Sequence, residues 1–267
     1  MSCPKVVILA GGKGTRLRPF TANFPKPLVP VGDKPILAIL LHQLIRQGFQ
    51  HVTITLGHLA ELIRTYVAQS EELKSSLEIA YVDEDQPTGT AGSLASIPEL
   101  TETFIVMNGD VLTNLDFNDL IAAHKKAGAA LTIAGHAKNV KIDLGVLEAD
   151  ENGRLTGYSE KPEYNFDVSM GIYVYEPYVL EHIKPDEYLD FPTLVHLLLE
   201  AGQPVHVYRN DAFWLDIGRP DDYAIAQDIY ENQPEIFGQG TDEECSGNTP
   251  FQNPPSELKN NGQRSSA

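Results

Sequence analysis

Short apolar runs alternate with longer amphipathic ones over the first half of the chain, and this alternation constrains the fold more than any other feature. KVVILA (5–10), HVTITL (51–56), LEIAYVDE (77–84), TFIVMNGD (103–110) and ALTIAGHA (130–137) have the length and composition of buried strands. Between them, PILAILLHQLIRQGF (35–49), residues 59–68, a stretch near 91–97 and residues 116–127 carry helical periodicity. Strands that alternate with helices predict an α/β fold: a mostly parallel central sheet wrapped by helices. After residue 143 the texture changes. LGVLEAD-ENG-RLTGYSEKP (144–162) reads as a hairpin turned at Asn152-Gly153, followed by strand FDVSMGIYVYE (166–176) and helix FPTLVHLLLEAG (191–202). PVHVYR, AFWLDIG and a closing helix over 221–232 complete a mixed-sheet extension expected to pack on the first half. NVKID (139–143) is left unassigned.

The division expected is one domain over 1–237, with a first half at about 1–137 and a second at 138–237. Residues 238–267 hold Phe251 and Leu258 as their only large apolar side chains, so a disordered polar tail is expected there. No apolar run approaches the length of a membrane span, and the N-terminus has no signal-peptide pattern. The two cysteines, Cys3 and Cys245, suggest no disulfide framework, so a cytoplasmic location is expected.

The formal charge of −17 argues against nucleic acid or an anionic membrane as partner. Yet residues 1–34 carry Lys5, Lys13, Arg16, Arg18, Lys26 and Lys34 against Asp33 alone. These charges share their segment with the loop ILAGGKGTRLRPFTANFPKPL (8–28), which leaves a predicted buried strand. Glycines allow a backbone to approach a ligand closely, and their N–H groups can form a nest for an anion. Arg16 adds a planar fork suited to phosphate oxygens. A small polyanion therefore fits better than a solvated basic face, although Lys5, Arg18 and Lys34 are read as solvated. Neither familiar phosphate motif is present: Val7 occupies the first glycine position of a P-loop, and Leu17 the last glycine of G-x-G-x-x-G.

Gly11 to Pro19 (G-G-x-G-T-R-L-x-P) followed by P-K-P-L (25–28) resembles the signature of the sugar-1-phosphate nucleotidylyltransferases, the NDP-sugar pyrophosphorylases. Further matches follow in order: PTGTAG (87–92), NGD (108–110), EKP (160–162), MGIYVYEP (170–177) and FWLDIGRPDDY (213–223). The resemblance covers about residues 5–232 and implies a Rossmann-like, GT-A-type fold, with a nucleotide-binding half at about 1–137 and a sugar-binding half at 138–237. It implies that Gly11, Gly12, Gly14, Thr15, Pro87, Gly89 and Thr90 bind the nucleotide. Arg16 would offset charge on the α-phosphate and the departing pyrophosphate, and Lys26 would hold the sugar phosphate. Asp110 and Asp216 would bind Mg²⁺, with Asp110 also counted as catalytic. Gly145, Glu160, Lys161 and Gly171 would contact the sugar or its phosphate. On the residues alone, Gly145 and Gly171 are equally readable as packing glycines in strands, and Trp214 as core or pocket wall. Asp83 and Asp85 imitate a D-x-D metal motif but fit an acidic loop.

The implied reaction joins an NTP to a sugar 1-phosphate and releases pyrophosphate. The attacking phosphate, with a second pKa of about 6, is ionised at neutral pH and needs no general base. Alignment and charge neutralisation suffice. The eight histidines accordingly show no catalytic or metal pattern. The wording is most similar to guanylyltransferases of mannose or heptose 1-phosphate, in polysaccharide or glycoconjugate precursor synthesis. Uridylyl- and thymidylyltransferases resemble it too, and Leu144 stands where many relatives have tyrosine, so base and sugar stay open. A GT-A glycosyltransferase and a non-catalytic nucleotide-sugar sensor are the rival functions. No hexapeptide-repeat β-helix is present, so acetyltransferase activity is not expected; homo-oligomerisation is left open.

Overall fold

The computed structural model describes residues 4–84 and 86–237. Cys3, Asp85, Cys245 and the expected tail lie outside the described residues. Among the described residues no helix is long and apolar enough to cross a membrane.

Strand β1 (Val6–Ala10) leads into the glycine loop and, through the short strands β2 (Pro30–Val31) and β3 (Lys34–Pro35), into helix α1 (Ile36–Arg46). β4 (His51–Leu56), α2 (Ala60–Gln69), α3 (Glu71–Ser76) and β5 (Glu78–Asp83) follow. α3 was not expected; Ser70 caps it, its hydroxyl accepting from Leu73 N. The single helix expected near 91–97 is a short turn of helix, α4 (Gly89–Gly92), run into a 3₁₀ segment at Ser93–Ser96. Next come β6 (Phe104–Asn108), β7 (Val111–Thr113), α5 (Phe117–Ala127) and β8 (Leu131–Lys141). The second half adds β9 (Gly145–Ala149), β10 (Leu155–Glu160), β11 (Glu163–Tyr175), α6 (Phe191–Glu200), β12 (Val205–Asn210), β13 (Trp214–Asp216) and α7 (Pro220–Asn232).

One seven-stranded sheet, in the order β12-β8-β11-β6-β1-β4-β5, organises both halves. β1 lies parallel between β6 and β4, and β11 alone runs against its neighbours β6 and β8. The second half therefore interleaves with the first, β11 lying between β6 and β8 and β12 beyond β8, so both share one sheet instead of the second packing upon the first. The NVKID stretch also finds its place. Its first residues prolong β8, which pairs with the start of β11 as far as Lys141↔Glu163. β9 and β10 form the expected hairpin, but the turn spans Asp150–Gly153. The Asp150 carboxylate accepts from Asn152 N and Arg154 N, so Asp150 sets the turn as much as Asn152-Gly153 does.

Alternation along β1 sends Val6, Ile8 and Ala10 to one face, under α1, α2 and α5, and Val7 to the other, under α6. A third cluster ties α1 and α7 together through Leu17, Val29, Ile36, Ile217 and Ile229. Leu17 and Val29 belong to the loop that follows β1, so this core holds that loop in place.

Candidate active site

The carboxyl ends of β1 and β6 open onto a cleft of about 220 Å³. This is where open α/β sheets bind ligands. Gly14 takes the left-handed conformation at φ 57°, which starts a 3₁₀ turn over Thr15–Leu17. The fully buried Leu17 anchors that turn, and the Thr21 hydroxyl donates to Gly14 O at 2.6 Å. Arg16, between two anchored residues, is thereby presented to the cleft. A second 3₁₀ turn, Lys26–Leu28, is stiffened by Pro25 and Pro27 and buries Lys26.

The Lys26 ammonium donates to Asp110 Oδ2 as an ion pair. Asp110 follows β6, where Gly109 N continues the sheet by donating to Leu9 O at 2.9 Å. Asp216 arrives on β13, opposite Val111 of β7. Burial raises the Asp216 carboxyl above the usual range, and the Asp110 charge adds to this; Lys26 and Arg16 pull it back, and Asp222 raises it again. Arg16, Lys26, Asp110 and Asp216 are thus within electrostatic reach of one another. Asp110 Oδ1 is buried without a hydrogen-bond partner. Such an oxygen calls for a cation or a donor.

Of the residues singled out in sequence, Gly12, Gly14, Thr15, Arg16, Lys26 and Asp110 line the cleft. Gly11 lies behind it: a Cβ at Gly57 would come 2.7 Å from Gly11 O, so two chain segments meet there. Gly89 has φ 84°, and a Cβ on it would lie 2.4 Å from Leu189 O. Thr90 Oγ1 accepts from Phe191 N at 2.9 Å, and Pro87 is exposed beside it. The loop at 87–92 is therefore docked on the segment that leads into α6, a contact that sequence reading missed. Gly145, Glu160 and Lys161 are carried by the β9–β10 hairpin, outside the cleft lining. Gly145 leaves room for Tyr158, whose hydroxyl donates to Glu160 at 2.6 Å. Gly171 lies at an irregularity in β11, against the Asn108 side chain of NGD. Trp214 is half-buried and donates its indole N–H to Met170 O at 2.8 Å. Asp83 forms an ion pair with Arg64.

Sequence reading also missed Pro27, Gly109 and Gly218, which complete the cleft. All three stood inside quoted motifs, Pro27 in P-K-P-L, Gly109 in NGD and Gly218 in FWLDIGRPDDY, so their signal was present. Gly218 follows Asp216 by two residues, and its N–H donates to Asp216 O at 2.9 Å.

Comparison with known proteins identifies the family of the chain. A family model described as nucleotidyl transferase matches residues 5–233. A UTP-glucose-1-phosphate uridylyltransferase from Synechocystis sp. is 35% identical over 245 residues, covering 82% of this chain and 61% of the relative. A mannose-1-phosphate guanylyltransferase catalytic subunit beta from Dictyostelium discoideum is 32% identical over 251 residues, covering 88% of this chain and 68% of the relative. The chain thus spans about three fifths to two thirds of the length of these two relatives. Among solved structures, HddC from Yersinia pseudotuberculosis, complexed with GMP-PN, superposes with a TM-score of 0.65 at 28% identity. That match covers 85% of this chain and 99% of HddC. With its motifs in order, its cleft at the carboxyl ends of β1 and β6, and a family match over most of its length, the chain belongs to the nucleotidyl transferase family.

Proposed function

We propose that this chain transfers a nucleotidyl group from an NTP to a sugar 1-phosphate, releasing pyrophosphate. The observation that carries the reading is the meeting of Arg16, Lys26 and Asp110 at one cleft, with Asp216 behind its lining and within electrostatic reach of all three. Two cations suit the negative charge that spreads over a phosphorus centre in transfer, and two carboxylates suit a divalent cation. The backbone of Gly12 and Gly14 lets phosphate oxygens approach closely, and Thr15 adds a hydroxyl. Arg16 neutralises charge at the α-phosphate and the leaving pyrophosphate. Lys26, released from Asp110 by the substrates, holds the sugar phosphate for in-line attack. Its oxygen forms the new P–O bond as the bond to pyrophosphate breaks. No protein base is needed, because the nucleophile arrives ionised.

The residues fit Mg²⁺. Asp110 Oδ1 is an orphaned buried acceptor, and burial beside Asp110 disfavours charge on Asp216 until a cation offsets it. Among the described residues no cluster of three or more His, Cys, Asp or Glu could hold a metal. Mg²⁺ does not require one, since it commonly binds through one or two carboxylates plus waters and substrate phosphates. Asp110 and Asp216 would hold it, and bound there it would neutralise phosphate charge. The hairpin residues Gly145, Glu160 and Lys161, with Gly171, are assigned to the sugar, and the 87–92 loop to the nucleoside end. This keeps the division near residue 137 as one of function within a shared sheet.

The test is pyrophosphate release across a matrix of NTPs and sugar 1-phosphates. Release is expected only when both substrates and Mg²⁺ are present, and EDTA is expected to stop it. NDP-sugar cleavage without pyrophosphate exchange would establish the glycosyltransferase instead. Nucleotide-sugar binding without turnover would establish the sensor.

A further inference from the structure

From Ala137 onward β8 keeps β11 as its one neighbour, because β12 pairs with it no further than His136. β11 in turn meets β6 only over 172–175. Residues 137–141 and 163–169 therefore leave the main sheet as a two-stranded arm. Ile142 N donates to Pro162 O at 3.1 Å and carries the arm on into the β9–β10 hairpin, whose strands pair only with each other. A two-stranded ribbon of this kind is marginally stable in water by itself. Its flanks also present backbone N–H and C=O groups that no neighbouring strand takes up.

The ribbon concentrates exposed apolar surface. Seven of the sixteen large apolar side chains exposed among the described residues fall between 137 and 168, so the exposure belongs to this ribbon and not to the surface at large. Three are on the arm: Tyr164 lies opposite Val140, and its ring stacks on Phe166 with centroids 6.3 Å apart. The hairpin adds Leu144, Leu147, Leu155 and Tyr158, between 56% and 73% exposed. Gly145 and Glu160 face each other at the hairpin base, and Leu147 and Leu155 lie farther out toward the turn. With about half of roughly 150–250 Å² per large side chain in water, the seven expose on the order of 600 Å². That is at the upper end of what a monomer leaves uncovered, about 300–600 Å². It is also most of the roughly 800 Å² that each side of a stable interface buries.

We propose that the ribbon over 137–168 is covered by the same ribbon of a second copy of this chain, the two related by a two-fold axis. A two-fold makes one patch its own complement, so the area on one copy supplies both sides. It also sets identical strands antiparallel, which gives the free flanks backbone partners. Charge favours the arm as the place of contact. A chain of net charge −17 repels its own copies over most of its surface. On the arm, Lys138 and Lys141 balance Glu163 and Asp167, and these acids are paired with Lys141 at 3.7 Å and Arg209 at 2.7 Å. Association of this kind does not depend on the reaction proposed above.

The experiment is sedimentation velocity of the full chain over a dilution series, without substrates. Wild type is compared with Leu147→Glu on the hairpin, Phe166→Glu on the arm, and Leu199→Glu, an exposed position on α6 outside the ribbon. Wild type is expected to form a dimer that dissociates on dilution. Each ribbon variant is expected to raise the dimer Kd at least roughly thirtyfold, the loss of one hot-spot side chain. Leu199→Glu is expected to leave Kd unchanged. All three side chains are exposed, so urea midpoints of dilute protein are expected to match wild type. Hydrogen exchange on wild type reads the same contact without any substitution: amides in 137–168 are expected to exchange more slowly in concentrated than in dilute protein. A monomer at every concentration, a dimer that survives both ribbon variants, or equal weakening by Leu199→Glu would each overturn the assignment. So would ribbon protection that arises in a monomer on adding an NTP and a sugar 1-phosphate, which would make the ribbon a cover for the chain's own cleft.

Discussion

Arg16 and Asp110 can be separated experimentally from residues that only shape the cleft. Arg16 is exposed on a turn whose fold depends on Gly14 and Leu17, so Arg16→Ala is expected to leave stability nearly unchanged. Its loss removes a preorganised cation from the proposed phosphate site, which is expected to lower kcat by roughly 10²–10³. Steady-state pyrophosphate release alongside urea melts checks both halves; near-normal turnover would remove Arg16 from the mechanism. Asp110→Asn keeps the shape but weakens both the Lys26 pair and the charge proposed to hold Mg²⁺. A kcat loss of similar size, roughly 10²–10³, is expected, with more Mg²⁺ needed for half-maximal rate. Both residues were legible from their motifs, because a guanidinium beside glycines and a carboxylate at a strand end have few competing chemical uses together.

At the scale of elements, the loop at 87–92 shows how one segment answers to two demands. Gly89 and Thr90 were read as approaching the nucleotide. The structure shows them docked on Leu189 and Phe191, at the entry to α6. Gly89→Ala would place a side chain at φ 84° and into Leu189 O, so a loss of about 1–3 kcal/mol is expected in chemical denaturation. A neutral effect would mean that the loop and the α6 entry separate freely. A second inter-element tie joins α5 to β8 and the end of β11. His124 is fully buried, its Nδ1 at 2.8 Å from the Thr132 hydroxyl and its Nε2 at 3.1 Å from Glu176. Burial lowers its pKa; Glu176 opposes this, while Lys125 and His206 add to it. A histidine with a lowered folded pKa binds its proton more tightly unfolded. Its contribution is therefore present above the ordinary histidine range, near 6.5, and is lost as pH falls through the lower folded value. Stability is expected to decline from pH 7 towards 5, with a shallower slope in His124→Gln, read from urea melts across pH. An equal slope would assign the acid sensitivity to other groups.

For the whole molecule, the complete cleft and all of the residues assigned to function lie within the family match at 5–233. Deleting residues 238–267 is accordingly expected to leave kcat/KM unchanged, measured by pyrophosphate release; a large loss would place a functional contact in that segment. Strand and helix order were readable from sequence because periodicity is local: a run such as VVILA declares itself within five residues, as does an amphipathic helix within three turns. The chemical types in the motifs were readable for the same reason, since glycine, arginine and aspartate carry their properties wherever they are placed. Tertiary structure decided the rest. It set β11 against the direction of its neighbours and joined both halves in one sheet. It also sorted the glycines into those that line the cleft and those that make room for Leu189, Tyr158 or Asn108. These outcomes depend on pairing and close packing between residues far apart in the chain, and local periodicity does not encode such contacts.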